Sequence, residues 1–513
     1  MDQGKPLCDP QTRTDILNQI ERWAYDISDE TPRLFWLTGV PGAGKSSIAA
    51  SIASKVKNDR SLWAQFFISR THAGTTDPNC LFPSIACQLA KHHPKVAFII
   101  NETLKKHASL ADYISDVQAM KLFVEPIKVA SNMNSSEPVV IVIDGLDELN
   151  ISSIAKILSK AIAALPQNAK VFISSRSVDR IQTHFSHMVY EHQAAHIDLD
   201  PSAQSSIKDV ARVFKGEIKR IVDENHLKEK EWPGTERMQA LCDKASGLFI
   251  WAVTAIKFIR ARIAAAGSEC LDEVLSDLNA EGMEGINALY HTILHRTCPH
   301  EQDTWAFERF RRIVGCIIVL QEPLALASLQ ALLNLQKTET SRPVDVEHFI
   351  RQFRTVLVVG TDDINDKTVP RLHKSFVEFI TKDCDDRFRV DRVASSAELA
   401  TQCLRQLNSL NRDMCNIERF AKFNADIPGL LSIIDRHLSI HLRYASRFWS
   451  VHLPRAKCAT IRALFRDFFT QHLLHWVEVM SLLGYNYLFS LLERAAEWAQ
   501  VPICVCPVPA RIF

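Results

Sequence analysis

The stretch that most restricts the fold is Thr38-Gly39-Val40-Pro41-Gly42-Ala43-Gly44-Lys45-Ser46-Ser47, set between an apolar run and an alanine-rich run. Leu34 to Leu37 reads as a short buried strand. Beyond the glycines, Ile48, Ala49, Ile52, Ala53 and Val56 recur on one face of a helix from Ser46 to Lys57. Strand, glycine turn and helix, in that order, satisfy the pattern G-x-x-x-x-G-K-S/T in its required context. The glycines let successive N–H groups turn inward, and the positive end of the following helix supplies an anion site. Gly39, Val40, Pro41, Gly42, Ala43 and Gly44 are therefore expected to cradle phosphate. Lys45 is expected on the β- and γ-phosphates, the Ser46 hydroxyl on Mg²⁺, and Ser47 on the α-phosphate.

Further strands are expected at Trp63 to Ile68, Val139 to Ile143, Val171 to Ser174 and Ile197 to Leu199. Helices at Leu81 to Lys91 and near Ile154 to Ala164 separate them, and Thr14 to Tyr25 carries an apolar face ahead of the first strand. Alternation of this kind predicts the α/β class: a parallel sheet with flanking helices.

A phosphate loop needs an acidic partner for its metal. Val139-Val140-Ile141-Val142-Ile143-Asp144 supplies one, an apolar strand ending in a carboxylate at the edge where open α/β sheets bind ligands. Asp144 is thus the expected Walker B aspartate and second Mg²⁺ contact. Asp147 and Glu148 follow, and one of them is expected to orient or deprotonate the attacking water, with Asp147 slightly favoured. One βα unit later, Ser174-Ser175 leads to Arg176, which would face the γ-phosphate if its strand lies beside the P-loop strand.

Past about residue 200 helical patterns dominate. Val314 to Leu333 reads as two helices broken at Gln321-Glu322-Pro323-Leu324. Strands at Val356 to Val359 and Val369 to Leu372, around the polar turn Thr361 to Lys367, would add a hairpin. Helix, helix, hairpin predicts a winged-helix-like module, with an ordinary helical bundle as the alternative. The expected division is a helical lead-in over 1–30, the P-loop domain over 31–200, a helical domain over 201–300, the winged-helix-like domain over 301–395, and helical hairpins with an irregular tail over 396–513.

Composition narrows the partners. Among 513 residues, 60 basic residues balance 59 acidic ones, so no global field draws in nucleic acid or anionic membrane. No apolar stretch reaches the roughly 20 residues of a membrane span, and the N-terminus lacks a signal-peptide core. Thirteen cysteines without a C-x-x-C pair read as reduced thiols of a cytoplasmic protein.

Gly39 to Ser46, the strand leading to Asp144-Gly145-Leu146-Asp147-Glu148, and Ser174-Ser175-Arg176 together resemble the NACHT class of STAND NTPases. The likeness is to fungal proteins of the NOD-like receptor type whose NTPase is similar to the nephrocystin-3 N-terminal module. Thr12-Arg13 to Trp23, Ser246-Gly247-Leu248-Phe249-Ile250-Trp251-Ala252 and Leu372-His373-Lys374-Ser375-Phe376 fit that subgroup. Leu442-Arg443-Tyr444-Ala445, Trp449 and His452-Leu453 are similar to a helical segment that often precedes WD40 repeats. The resemblance implies that the Arg176 strand lies between the P-loop and Asp144 strands, and that His373 contacts the β-phosphate of ADP. Lys374 departs from the aspartate common in plant and animal relatives. Arg13 and Thr14 are candidates for adenine-side contacts.

The expected function is an ATP-binding switch with ATP or ADP and Mg²⁺ as cofactors, slow hydrolysis, and self-association into a homo-oligomer in the ATP state. The alternative is a non-hydrolysing interaction or decoy protein that holds nucleotide as a staple. Few residues precede the first strand and no blade repeat follows the helices, so the chain is expected to be a truncated receptor engine.

Overall fold

The computed structural model describes residues 5–69, 73–107, 110, 114–133, 135–149, 153–225, 232–267, 270–279, 285–298, 304–333, 345–353, 357, 368–369, 372–417, 423–454, 459–485 and 488–500. The chain divides into two compact units, Met1–Ile293 with Gly360–Asp362 and, for the second, Leu294–Val359 with Asp363–Phe513.

The first unit is built on five strands: β1 (Leu34–Gly39), β2 (Leu62–Phe67), β3 (Val139–Asp144), β4 (Ala169–Ser174) and β5 (Ala194–Leu199). All described pairings are parallel, in the order β2-β3-β4-β1-β5. The three inner strands are buried at every residue, as continuous apolar runs with both faces covered should be. β5 is buried only at its two end residues, with half-buried and exposed residues between them, the mark of an edge. At the other edge the side chain of Gln88 pairs with both backbone groups of Gln65 in β2, at 3.0 and 2.9 Å, and so blunts an unpaired strand.

Helices cover both faces. On one, α1 (Thr14–Tyr25) and α2 (Lys45–Asn58) pack Ile20, Trp23, Ile48 and Ile52 against Phe35, Leu37 and Phe172. On the other, α3 (Leu81–His92), α4 (Ile154–Ala163) and α5 (Asp179–Tyr190) pack Phe82, Leu158 and Phe185 with Leu34, Trp36, Ile141 and Ile173. The side-chain period of two sends alternate residues of β1 to opposite cores. Three more helices complete the part used below: α6 (Gln204–Glu224), α7 (Thr235–Ala245) and α8 (Phe249–Ala266).

The second unit is helical in its described residues. α9 (Thr304–Val319) and α10 (Leu326–Leu333) are broken at the expected Pro323. Ala325 forms an antiparallel bridge with Thr368, and the Val369 N–H donates to the Leu324 carbonyl at 2.7 Å. The rest of the expected 356–372 hairpin lies largely outside the described residues, as do Cys504 and Cys506 in the tail. α11 (Lys374–Glu378) is followed by α12 (Arg392–Leu407) and α13 (Ile440–Phe448). The Leu442-to-His452 segment is a packing hub. The Gln321 N–H donates to the Tyr444 hydroxyl at 3.1 Å, which bonds the buried His452 at 2.8 Å, and Arg447 pairs with Glu322 at 2.6 Å. Burial pushes His452 down to about 3, so the ring is neutral. No helix among the described residues is long and apolar enough to cross a membrane.

Candidate functional site

The C-terminal edge of the sheet gathers most of the residues singled out from sequence. The P-loop leaves β1 at Gly39 and enters α2 at Lys45. Gly42 stands at φ +84°, where a side chain would be strained and where an added Cβ would sit 2.2 Å from Ile250 Cγ2. Gly44 precedes α2 and offers no side chain to cap its first N–H groups. Lys45 reaches back across the loop, its Nζ donating to the carbonyls of Gly39 at 2.6 Å and Val40 at 2.9 Å. That holds the ammonium over the loop. Ser46 and Ser47 follow in the first turn of α2, both half-buried.

β4 lies between β1 and β3, which brings Ser174, Ser175 and Arg176 between the P-loop and the acidic strand end. Asp144 is 1% exposed, and the Ser174 hydroxyl donates to its Oδ1. The Gly145 N–H donates to the same hydroxyl and to the Ser174 carbonyl, each at 3.1 Å, so Ser174 fixes both the carboxylate and the turn after it. Ser175 is bound as well. Its N–H donates to Leu37 C=O at 3.0 Å and its hydroxyl accepts from the Trp36 indole at 2.9 Å. A buried carboxylate and a hydroxyl are hard oxygen donors of the kind Mg²⁺ takes, so Asp144 and Ser46 fit that ion chemically.

Asp147 sits on the short turn Leu146–Glu148 and is buried. Its Oδ1 accepts the Arg176 N–H at 3.0 Å, and its Oδ2 accepts Arg176 Nε at 2.9 Å. Arg180 donates to the Asp147 carbonyl at 2.6 Å. The carboxylate expected to act on water therefore grips the arginine expected to face phosphate. Neither this grip nor the Ser174 bond is legible from spacing, because both partners sit about 30 residues apart on different strands. The Ser-Ser-Arg run drew attention to Ser174 only through the family resemblance, and nothing in sequence marks Arg180.

His373 belongs to the second unit. It caps α11, its Nδ1 accepting the Ser375 N–H at 3.2 Å and bonding the Ser375 hydroxyl at 2.7 Å. Nδ1 acceptance sets the tautomer, with any ring proton on Nε2.

Residues 11–176 match the family model described as Nephrocystin 3, N-terminal. The match runs from just before α1 to Arg176 and so contains the whole P-loop, Asp144, Asp147 and Glu148. Residues 11–176 form a P-loop NTPase-like module. Among solved structures, the module-bearing chain is similar to C. elegans PCH-2, with 13% identity, 53% of this chain and 70% of that chain covered, and a TM-score of 0.29. It is also similar to a structure of Drosophila ORC bound to AT-rich DNA and Cdc6, with 11% identity, coverage of 90% and 70%, and a TM-score of 0.23. No curated protein matches the chain.

Proposed function

We propose that this chain is a NACHT-type molecular switch that binds ATP with Mg²⁺, hydrolyses it slowly to ADP, and self-associates in the ATP state. The observation that carries the reading is the sheet order, which sets the β4 end leading to Arg176, the partner of Asp147, between the P-loop strand and the Asp144 strand. In this reading Gly39 to Gly44 wrap the phosphates with backbone N–H groups, Lys45 takes the β- and γ-oxygens, and Ser47 the α-phosphate. Ser46 and Asp144 hold Mg²⁺, which when bound neutralises charge on the phosphate oxygens. Arg176 meets the γ-phosphate, and Asp147 holds it in place for that task.

The Arg176 grip shifts the base assignment toward Glu148. A carboxylate shared with a guanidinium is a weak proton acceptor, because the neighbouring cation stabilises its charged form. Glu148 would take the proton of the attacking water as the new P–O bond forms and the bond to ADP breaks. Single-turnover hydrolysis separates the two carboxylates. Glu148→Gln should slow turnover by roughly a hundredfold with ATP affinity unchanged, in the range general-base losses give. Asp147→Asn should weaken both, because it releases Arg176. Equal turnover by wild type and Glu148→Gln would sink the assignment.

The same grip favours a second reading, in which nucleotide is a structural staple, since the Asp147 carboxylate is engaged with Arg176. Wild-type protein that keeps ATP intact over many hours would select it.

A further inference from the structure

A loop that turns its N–H groups inward turns carbonyls outward, and a buried outward carbonyl needs a donor. Two adjacent carbonyls at the apex of the P-loop have found theirs in distant segments. Gly42 C=O accepts the N–H of Ile250, in the first turn of α8, at 3.4 Å. Ala43 C=O accepts a terminal nitrogen of Arg13 at 3.0 Å.

Arg13 is an unusual residue for its place. It is 4% exposed and holds φ at +54°, a left-handed conformation that a bulky side chain keeps only where its surroundings over-determine it. Those surroundings are four. One arm of the guanidinium goes to Ala43 and the other to the Ser206 hydroxyl of α6 at 2.8 Å. The plane lies over the Phe249 ring of α8 at 5.2 Å, and the backbone N–H donates to Asp209 of α6 at 2.9 Å. Ser206 passes the link on, donating to the Asp200 carbonyl at 2.7 Å just after β5. The entry to α8 is pressed onto the same place, since a Cβ on Gly247, at φ +69°, would meet the Pro201 carbonyl oxygen at 1.9 Å.

We infer that Arg13 is a positioning residue that ties the apex of the P-loop to α6 and α8, so that nucleotide held in the loop orders α8 and loosening of α8 releases the nucleotide. The inference rests on the nucleotide-binding reading of the loop. It gives Arg13 a different task from an adenine contact: both arms of the fork are spent on protein. Only a planar fork serves the loop and α6 at once, so lysine, a point charge with one nitrogen, keeps the charge and loses the tie.

The test uses the full chain and N-methylanthraniloyl-ADP, with stopped-flow dissociation and hydrogen exchange of α8 with and without ADP. In the wild type, ADP should slow exchange across Phe249–Ala266. Arg13→Lys should speed dissociation at least about tenfold and erase that protection. Phe249→Leu should give roughly threefold, and the double variant no more than Arg13→Lys alone, because both remove one link. Wild-type dissociation and protection in folded Arg13→Lys, or fully additive effects, would overturn the inference. If Arg13→Lys does not fold, Ser206→Ala decides: a two- to fivefold faster dissociation with partial loss of protection supports the tie, and no change overturns it. Wild-type protein that binds no labelled ADP would overturn the nucleotide reading itself and the tie with it, whereas binding that ignores Arg13 and Ser206 removes the tie alone.

Discussion

β4 starts beside Asn168 and Lys170 and ends at Ser174 and Arg176, and both ends bury polar groups, yet the partners differ in kind. At the starting end the partners are largely loop carbonyls. Lys170 Nζ donates to Thr31 C=O at 3.3 Å, Asn168 to Glu137 C=O at 2.8 Å, and Gln167 to Ser28 and Thr31 carbonyls at 2.6 and 2.8 Å. Such bonds fasten loops, and Asp26 and Arg33 act on Lys170 through space. At the finishing end, side chain meets side chain: Ser174 with Asp144, Arg176 with Asp147. Burial of a polar residue is thus a poor guide to function, and the nature of its partner a better one.

The comparison breaks most easily at Asp144. Asp144→Asn keeps an acceptor for Ser174 and removes the charge. It should weaken ATP binding roughly a hundredfold in Mg²⁺, about 2.7 kcal/mol, and change it little in EDTA, as read by isothermal titration. An equal loss in both would mean that Asp144 is structural, like Lys170.

Lys170 provides the converse test. Burial pushes its ammonium down to about 8 from 10.5, with Asp26 pulling the other way. Between those values the unfolded chain binds more protons than the folded one, so stability should rise with pH from about 8 to 10.5 and carry the full cost below 8. Lys170→Met should flatten that rise, recover up to about 3 kcal/mol near pH 7, and leave nucleotide affinity alone. Urea denaturation across pH, paired with titration, measures both. A fall in affinity would tie the starting end of the strand to nucleotide as well.

The smallest effect is expected at Ser174. Removing one hydroxyl from Asp144 should cost about 1 kcal/mol, a five- to tenfold rise in the Mg²⁺ concentration needed for half-maximal ATP binding. No change in Mg²⁺ dependence would make Ser174 a packing residue.

Much of this is legible in the sequence. The five strands, the P-loop and Asp144 follow from local patterns: apolar runs, glycine spacing, and a carboxylate at a strand end. The position of β4 beside β1 rested on the family resemblance and is observed in the sheet. What stayed hidden depends on contacts between remote segments. Arg13 and Ser206 are 193 residues apart, and no periodicity links them. The fixing of Arg176 by Asp147 likewise appears only when two βα turns are laid side by side. Gly247 looked like part of a motif, and its reason, the Pro201 carbonyl, lies 46 residues earlier.

The central claim is that the loop from Gly39 to Ser47 binds nucleotide through Lys45. Isothermal titration of Mg²⁺-ADP into the wild-type chain and into Lys45→Ala, with circular dichroism confirming that both are folded, is the direct test. The expected result is one site per wild-type chain and at least about a hundredfold weaker binding in Lys45→Ala, the loss expected for a charge-assisted phosphate contact. Equal affinity in both proteins, or no heat from a folded wild type, would contradict it.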